Sequence, residues 1–311
     1  MTSEASIETQ KKVSVIIPVY NRAALLKDTL EELKSQTYPI FEVIVVDDAS
    51  EDNPQNVVKE ILGKKGRCIR LSQKTNAANA RNIGASEARG DVLAFLDSDD
   101  RWTENHLSRK VRLLCSRQCS GIFGAFYLVT KEGKKTCCQR SPEPDETFAS
   151  YVTSLNGDAR TSTFVIDRED FMAVQFDSLL EKHQDWDLAI RLSKKFLLEH
   201  DTTPTAIIDS SGADRMSASP NLKATDRFMD KHLSEMSMQS KFDFHFMICK
   251  AIVISGVGKN QLKKYQSGMI LPKPISLKNL IKKIMMMPPF YHFVPILLFL
   301  RGQLLVKKGH G

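Results

Sequence analysis

Asp91-Val92-Leu93-Ala94-Phe95-Leu96-Asp97-Ser98-Asp99-Asp100 reads as a short buried strand that empties into three carboxylates. In an extended chain residues i and i+2 lie on one side, so Asp97 and Asp99 are expected to project together from the strand's end. Two carboxylates aimed at one point repel each other unless a cation or a shared proton lies between them. Oxygen-only ligands suit a hard divalent ion such as Mg²⁺ or Mn²⁺, which commonly bridges a phosphate-bearing group. An acidic loop that merely ends a strand has the same letters, and the surrounding elements decide between the two.

Upstream, Val13–Val19 is an apolar run of strand length that ends at Asn21, and Ala23 to Gln36 follows with Leu26, Leu30 and Leu33 on one helical face. Phe41–Val46 is a second strand stopped by Asp47-Asp48, Asn53–Leu62 a second helix, and Arg67–Leu71 a short third strand. Ala77–Ala88 is a helix of small residues closed by Gly90. Strands alternating with helices predict right-handed crossovers and a mainly parallel sheet. Ligands on such sheets sit beyond the carboxyl ends of the strands. Tyr20, Asp47-Asp48 and Asp97–Asp100, far apart in sequence, should therefore meet at one crevice.

Past Arg101 the pattern changes. Thr103–Ser116 reads as a helix, Ile122–Val129 as a strand, and Lys131-Glu132-Gly133-Lys134 as a hairpin turn. Ser141–Asp145 reads as a loop, Thr161–Asp167 as a strand and Gln184–Phe196 as a helix opened by acidic residues. Residues 220–268 read as helical.

Across 311 residues, 42% are hydrophobic and 26% charged, a globular composition with ample room for a core. The net charge of +7 is uneven, because the last fifty residues carry many Lys and hardly any acid. That asymmetry points to an anionic surface met by the C-terminus. With no aromatic-and-basic nucleic-acid motif, a membrane is preferred to nucleic acid. The six cysteines lack C-x-x-C spacing, and Met1–Gln10 is polar and unlike a signal peptide. Free thiols in a reducing cytoplasm are expected.

Five segments, taken together, resemble the family 2 glycosyltransferases with the GT-A fold. They are Val15–Asn21, Val46–Ser50, Asn76–Gly84 with Ala80-Arg81-Asn82 inside, Phe95–Asp100 and His183–Leu188. The resemblance covers roughly residues 12–220. It divides that stretch into a nucleotide-binding part, about 12–102, and an acceptor-binding part, about 103–220. Residues 221–311 are expected to form a helical, membrane-associating appendage.

The family implies transfer of a sugar from a nucleotide diphosphate, with inversion at the anomeric carbon. Carried onto this chain, Pro18 and Tyr20 belong to the nucleotide site, with Tyr20 beside the uracil. Asp48 accepts from the base N3–H, Asp47 supports that loop, and Arg81 reaches toward the nucleotide or its phosphates. Asn76 and Asn82 fit the motif or cap and pack the helix. Asp97 and Asp99 position the metal and diphosphate, Asp97 nearer the ribose and Asp99 as the direct ligand of Mn²⁺ or Mg²⁺. Asp100 either assists or caps the next helix. Asp185 matches the general base. The usual pattern there is Glu-Asp, whereas this chain has Gln184-Asp185. Trp186 packs or serves as a sugar platform, and Arg215 is a phosphate-binding or a surface arginine.

Ile284–Leu300 is a mostly apolar run of 17 residues bracketed by Lys278, Lys282, Lys283 and by Arg301, Lys307, Lys308. Spanning a bilayer takes about 20 apolar residues, and Pro288, Pro289 and Pro295 disfavour one straight helix. A segment lying in the membrane interface fits better. The expected enzyme is peripheral, on the cytoplasmic face of a bacterial inner membrane. It would move a hexose from a UDP-sugar, UDP-Glc or UDP-Gal, to a lipid-linked sugar such as GlcNAc- or GalNAc-diphosphoundecaprenol. A polyprenyl-phosphate glycosyltransferase and a non-catalytic GT-A-like binding protein are the other classes left open.

Overall fold

The computed structural model describes residues 10–211, 220–288 and 290–293. Every residue of β1 (Val13–Val19) is buried, as a strand covered on both faces requires. α1 (Ala23–Leu33) buries Leu26, Leu30 and Leu33, the face expected from its spacing. β2 (Ile40–Asp47), α2 (Pro54–Leu62), β3 (Gly66–Arg70), α3 (Ala77–Ser86) and β4 (Val92–Phe95) follow. The strands β3-β2-β1-β4 form a parallel half-sheet. α3 is built of small residues because it lies against this sheet. A Cβ on Gly84 would come within 2.6 Å of Ile16 Cγ2 and 3.1 Å of Val46 Cγ2.

The second half contains β5 (Arg101–Trp102), α4 (His106–Arg117), β6 (Gly121–Thr130), β7 (Gly133–Cys137) and α5 (Phe148–Thr153). It continues with β8 (Val165–Asp167), α6 (Arg168–Met172), α7 (Gln184–Ser193) and β9 (Leu198–Asp209). β8 enters antiparallel beside β4, and β6 runs antiparallel to both β8 and β7. β9 lies parallel to β6 and antiparallel to β5. Among the described residues the sheet is mixed and nine-stranded, in the order β3-β2-β1-β4-β8-β6-β9-β5 with β7 on β6. Phe95, Phe171 and Phe176 pack ring against ring where the halves join, with centroids 4.8–5.7 Å apart. Each such buried ring or aliphatic side chain contributes about 1.5–3 kcal/mol.

Several elements differ from expectation, each for a local reason. The strand expected over Thr161–Asp167 opens as a 3₁₀ turn, Thr161–Thr163, before β8. There Ser162 Oγ donates to Asp100 and its carbonyl accepts from Trp102 Nε1. α4 starts at His106 rather than Thr103 because the Thr103 N–H is held by the Thr205 carbonyl of β9. β9 itself has no counterpart in the sequence reading. Its pairing with β6 slips between Gly124 and Phe126, opposite the stretch that holds Pro204, a residue that strands accept at irregularities.

The C-terminal region contains α8 (Leu222–His232), α9 (Met238–Ser255), α10 (Leu262–Gly268) and α11 (Leu277–Met285). Asp187 of α7 is fully buried and fastens α8. It accepts from His232 Nε2 at 2.9 Å and Arg191 Nε at 2.7 Å, and it pairs with Lys231. Lys282, expected to flank an interfacial segment, is instead buried on α11 in a 2.5 Å ion pair with Asp243 of α9. Among the described residues no helix is long and apolar enough to cross a membrane. Of the apolar run Ile284–Leu300, positions 289 and 294–300 lie outside the described residues.

Candidate active site

The loops that follow β1 and β2 are stitched to each other at the carboxyl ends of the strands. Asn21 donates its N–H to Ser50 Oγ at 3.0 Å, and its Oδ1 accepts from the Glu51 N–H at 2.8 Å. Asp52 accepts from the Ala23 N–H at 2.7 Å, meeting an open donor at the start of α1. Asn21 and Ala49 take positive φ, 49° and 63°, which side chains with a Cβ adopt at a cost. Such strain is sustained where the surroundings over-determine the backbone.

Asp47 is fully buried, accepting from the Ser50 N–H at 2.8 Å and from Arg70 Nη1 at 2.7 Å. Its geometry is that of a loop support. Asp48 is buried and accepts from both the N–H and the hydroxyl of Thr75, at 2.7 and 2.8 Å. Pro18 is buried in β1, in register with Val46. Tyr20 is 37% exposed, with Lys74 Nζ 3.7 Å from its ring centroid. Asn76 caps α3 through the Asn79 N–H at 3.0 Å, and Asn82 exchanges two hydrogen bonds with the Phe176 backbone. Both asparagines position the helix that carries Arg81.

The three carboxylates after β4 do not lie on a strand. β4 stops at Phe95, and Asp97–Asp100 form a turn closed by the Asp100 N–H on the Asp97 carbonyl at 3.1 Å. The alternation argument therefore fails past Phe95, and other elements aim the side chains. Asp97 meets Arg81 Nη2 at 2.5 Å, and Asp99 meets Arg22 Nη1 at 2.5 Å. Asp100 neither caps α4, which begins after Asn105, nor faces the cleft. It is buried, accepting from Ser162 Oγ at 2.6 Å and the Asp209 N–H at 3.2 Å. Burial first, then the charges of Asp97 and Asp99, push its pKa well above the usual carboxylate range.

Asp97 and Asp99 are the oxygen ligands that a hard divalent ion takes, and each is held by a guanidinium, Arg81 and Arg22, with which an ion would share it. Among the described residues no group of three or more His, Cys, Asp or Glu side chains is placed to hold a metal alone. An ion here would draw the rest of its coordination from phosphate and water, the habit of Mg²⁺ sites that use one or two carboxylates.

Arg81 joins this turn to the far side of the cleft. It is 5% exposed, and besides Asp97 it donates through Nη1 to Gln184 Oε1 at 2.9 Å, while its buried Nε has no hydrogen-bond partner. Gln184, the departure from the usual acidic residue, thus keeps a contact to the arginine without adding a charge.

Asp185 stands in the first turn of α7 and accepts from the Trp186 N–H at 3.0 Å. Burial pushes its pKa up to about 6, with Arg160 pulling down and Asp158 pushing up. His183, just before the helix, holds a left-handed φ of 63°. It is locked by a contact to Thr225 Oγ1 at 3.1 Å and by rings of Trp186, Phe228 and Phe244 at 5.1, 5.1 and 5.7 Å. Burial lowers its pKa to about 3, which keeps it neutral. Trp186 is a packing residue that also donates Nε1–H to Asp158 at 2.7 Å. The C-terminal helices α8 and α9 thus set the orientation of the α7 start.

A cavity of about 350 Å³ is lined by Arg81, Asp97, Arg160, Gln184, Asp185 and Trp186 among others, with Met247, Ile248 and Ala251 of α9 on its wall. Of the expected site residues, Arg81, Asp97 and Asp185 share this cavity. Asp47, Asp48 and Tyr20 belong to the stitched loops beyond β1 and β2, and Asp99 pairs with Arg22 between α1 and the β4 turn. Arg215 lies outside the described residues. Arg22, Lys74, Thr75 and Arg160 were not anticipated. Arg22 and Thr75 adjoin the quoted motifs and could have been found there, whereas Lys74 and Arg160 carry no sequence signal of their own.

Residues 14–183, more than half of the 311-residue chain, match the family described as glycosyl transferase family 2. The amylovoran biosynthesis glycosyltransferase AmsB of Erwinia amylovora is 35% identical over 191 residues, 58% of this chain and 64% of that protein. The match therefore spans less than two thirds of that relative's length. WfaP of Escherichia coli, a UDP-Glc:alpha-D-GlcNAc-diphosphoundecaprenol beta-1,3-glucosyltransferase, is 28% identical over 190 residues, 61% of this chain and 73% of that protein. Among solved structures, S. aureus TarS 1-349 in complex with UDP-GlcNAc aligns with a TM-score of 0.58 at 17% identity, covering 91% of this chain and 82% of that one. The mannosyltransferase PcManGT from Pyrobaculum calidifontis, in complex with GDP-Man and Mn²⁺, aligns at 0.57 with 15% identity, covering 95% and 86%. At such identities the structural likeness shows the fold, which is the GT-A arrangement expected from the motifs. The chain belongs to glycosyl transferase family 2.

Proposed function

We propose that the chain transfers a hexose from a UDP-sugar, with inversion, to a sugar on a lipid diphosphate, in the assembly of a bacterial surface polysaccharide. The observation that carries this reading is the single cavity lined both by the diphosphate-side pair Arg81–Asp97 and by Asp185, whose pKa is raised to about 6. A carboxylate ionised at neutral pH yet basic enough to take a proton suits a general base.

In this reading Tyr20 lies beside the uracil and Asp48 accepts from its N3–H, with Pro18 and Asp47 shaping the pocket. Asp97 lies near the ribose and Asp99 is the ligand of Mn²⁺ or Mg²⁺. That ion, when bound, neutralises charge on the departing nucleoside diphosphate as a Lewis acid. Arg81 stabilises the same developing charge from the protein side. The acceptor hydroxyl oxygen attacks the anomeric carbon as the bond to the β-phosphate oxygen breaks, and the hydroxyl proton passes to Asp185. A single displacement from the opposite face inverts the anomeric centre.

UDP-Glc and UDP-Gal are the favoured donors and GlcNAc- or GalNAc-diphosphoundecaprenol the favoured acceptors. Support comes from relatives whose names specify UDP-Glc and alpha-D-GlcNAc-diphosphoundecaprenol. We place the protein at the cytoplasmic face of the inner membrane, held by the C-terminal region beyond residue 220. Exposed Leu277, Ile281 and Ile284 on α11, beside Lys278 and Lys283, supply an apolar face with a basic flank. Removing residues 278–311 should move the chain from the membrane pellet to the supernatant. The catalytic reading is tested by screening UDP-sugars against a short-chain alkyl diphosphate carrying GlcNAc, with the product linkage assigned by NMR. Transfer from one UDP-hexose to the sugar is expected. Transfer to a bare lipid phosphate, or to none, would overturn it.

A further inference from the structure

The cavity contains a second cationic centre that the transfer chemistry leaves unused. Arg160 stands in the connection that leads into the 3₁₀ turn before β8, and its side chain is 40% exposed. Its Nε donates to Asp158 Oδ2 at 2.9 Å, and its guanidinium lies 5.7 Å from the Phe126 ring centroid. Asp158 is in turn immobilised through its other oxygen by Trp186 Nε1 at 2.7 Å and the Ala159 N–H at 2.8 Å. Arg160 is thus held by one edge, and among the described residues the hydrogen bond its side chain makes to the protein is the one through Nε. A guanidinium offers five donors in a planar fork, the arrangement that matches phosphate oxygens.

Lys182 lines the same cavity, near enough that Arg160 adds to burial in lowering its pKa, and both cations press on His183 in the same way. Asp158 balances Arg160 at its Nε edge, and the terminal nitrogens of the guanidinium are the donors that could meet a phosphate. Arg81 serves the donor end through Asp97 and Gln184, so it is not the group in question. Asp185 lies close enough to Arg160 for each to shift the other's pKa. Both residues line the same cavity, so an acceptor sugar with a hydroxyl at Asp185 has its anomeric substituent in the chamber that Arg160 also lines. The neighbouring wall is apolar, with Met247, Ile248 and Ala251 of α9.

We propose that Arg160, with Lys182 beside it, takes the phosphate groups of the acceptor, and that Met247, Ile248 and Ala251 receive the first part of its lipid. The assignment rests on the acceptor class put forward above, which the test separates from it. The full-length chain is assayed with its UDP-sugar and two acceptors that differ only in charge, undecyl diphosphate α-GlcNAc and undecyl α-GlcNAc. Wild type should favour the diphosphate acceptor in kcat/KM, and Arg160→Gln should reduce that preference about tenfold or more, the scale of losing charge-assisted hydrogen bonds. Arg160→Lys should keep part of the preference, and Lys182→Gln should lower it less than Arg160→Gln. Because both acceptors use Asp185, any influence of Arg160 on the base cancels in the ratio. An unchanged ratio in Arg160→Gln and Lys182→Gln overturns the subsite and leaves the transfer reading intact. A wild-type chain that uses both acceptors equally does the same. A wild-type chain that uses neither acceptor overturns the transfer reading and the subsite with it.

Discussion

The aspartates at the two ends of the cleft are the same residue in opposite circumstances. Around the loops after β1 and β2 and the β4 turn, Asp47, Asp48, Asp97 and Asp99 are each met by a guanidinium, a hydroxyl or a backbone N–H. At the start of α7, Asp185 keeps one such partner, the Trp186 N–H, and burial outweighs it and the pull of Arg160, so that its pKa rises to about 6. In the proposed mechanism the first kind binds and the second takes the proton. Environments that separate two carboxylates in this way are what allow one site to combine binding with acid–base work.

That contrast can be broken at either end. At the diphosphate end the largest effect is expected from Asp97→Ala combined with Asp99→Ala, which should cut metal-dependent transfer about 10²–10³-fold, read from initial rates with and without EDTA. Folding should survive, since both side chains lie at the cleft surface, and a circular dichroism melt checks it. Arg81→Met leaves Asp97 and Gln184 without their shared donor. It should raise the donor KM about tenfold to a hundredfold. Asp48→Ala, further from the reacting atoms, should weaken UDP binding about tenfold by calorimetry, with little change in kcat once donor saturates.

How far this division could be read from the chain is uneven. Val13–Val19, the Asp47-Asp48 stop and the small-residue helix of Arg81 are legible because buried parallel strands and close helix packing leave simple patterns. Asp185 was reached through its motif. What could not be read is the part made by contacts across long separations. β9 hides because its slip around Pro204 breaks the alternation that marks strands. The role of α9 hides because Met247 and Ile248 reach the cavity from some sixty residues beyond Asp185. Lys74 and Arg160 look like any surface cation until Tyr20 and Asp158 are placed beside them. The carboxylates at Asp97–Asp100 do follow the strand, but the alternation expected to aim Asp97 and Asp99 together stops at Phe95, because the chain turns there and Ser162 and Asp209, distant in sequence, hold the Asp100 side chain inward.

The smallest effect sharpens the comparison most finely. Gln184→Glu would place a carboxylate next to Asp185 and give Arg81 a second anion to hold. The acid limb of the pH–rate profile should move upward by less than about one unit. The direction follows from the base, because a neighbouring negative charge raises its pKa and activity is present above that value and lost below it. A downward shift would mean that Arg81 leaves Asp97 for the new partner.

The most direct test measures donor binding and transfer together in Asp185→Asn. Calorimetry with UDP and Mn²⁺ should match wild type within about twofold, while transfer falls about 10²–10⁴-fold and the acid limb near pH 6 disappears. Full turnover with the limb retained would contradict the assignment of the proton to Asp185.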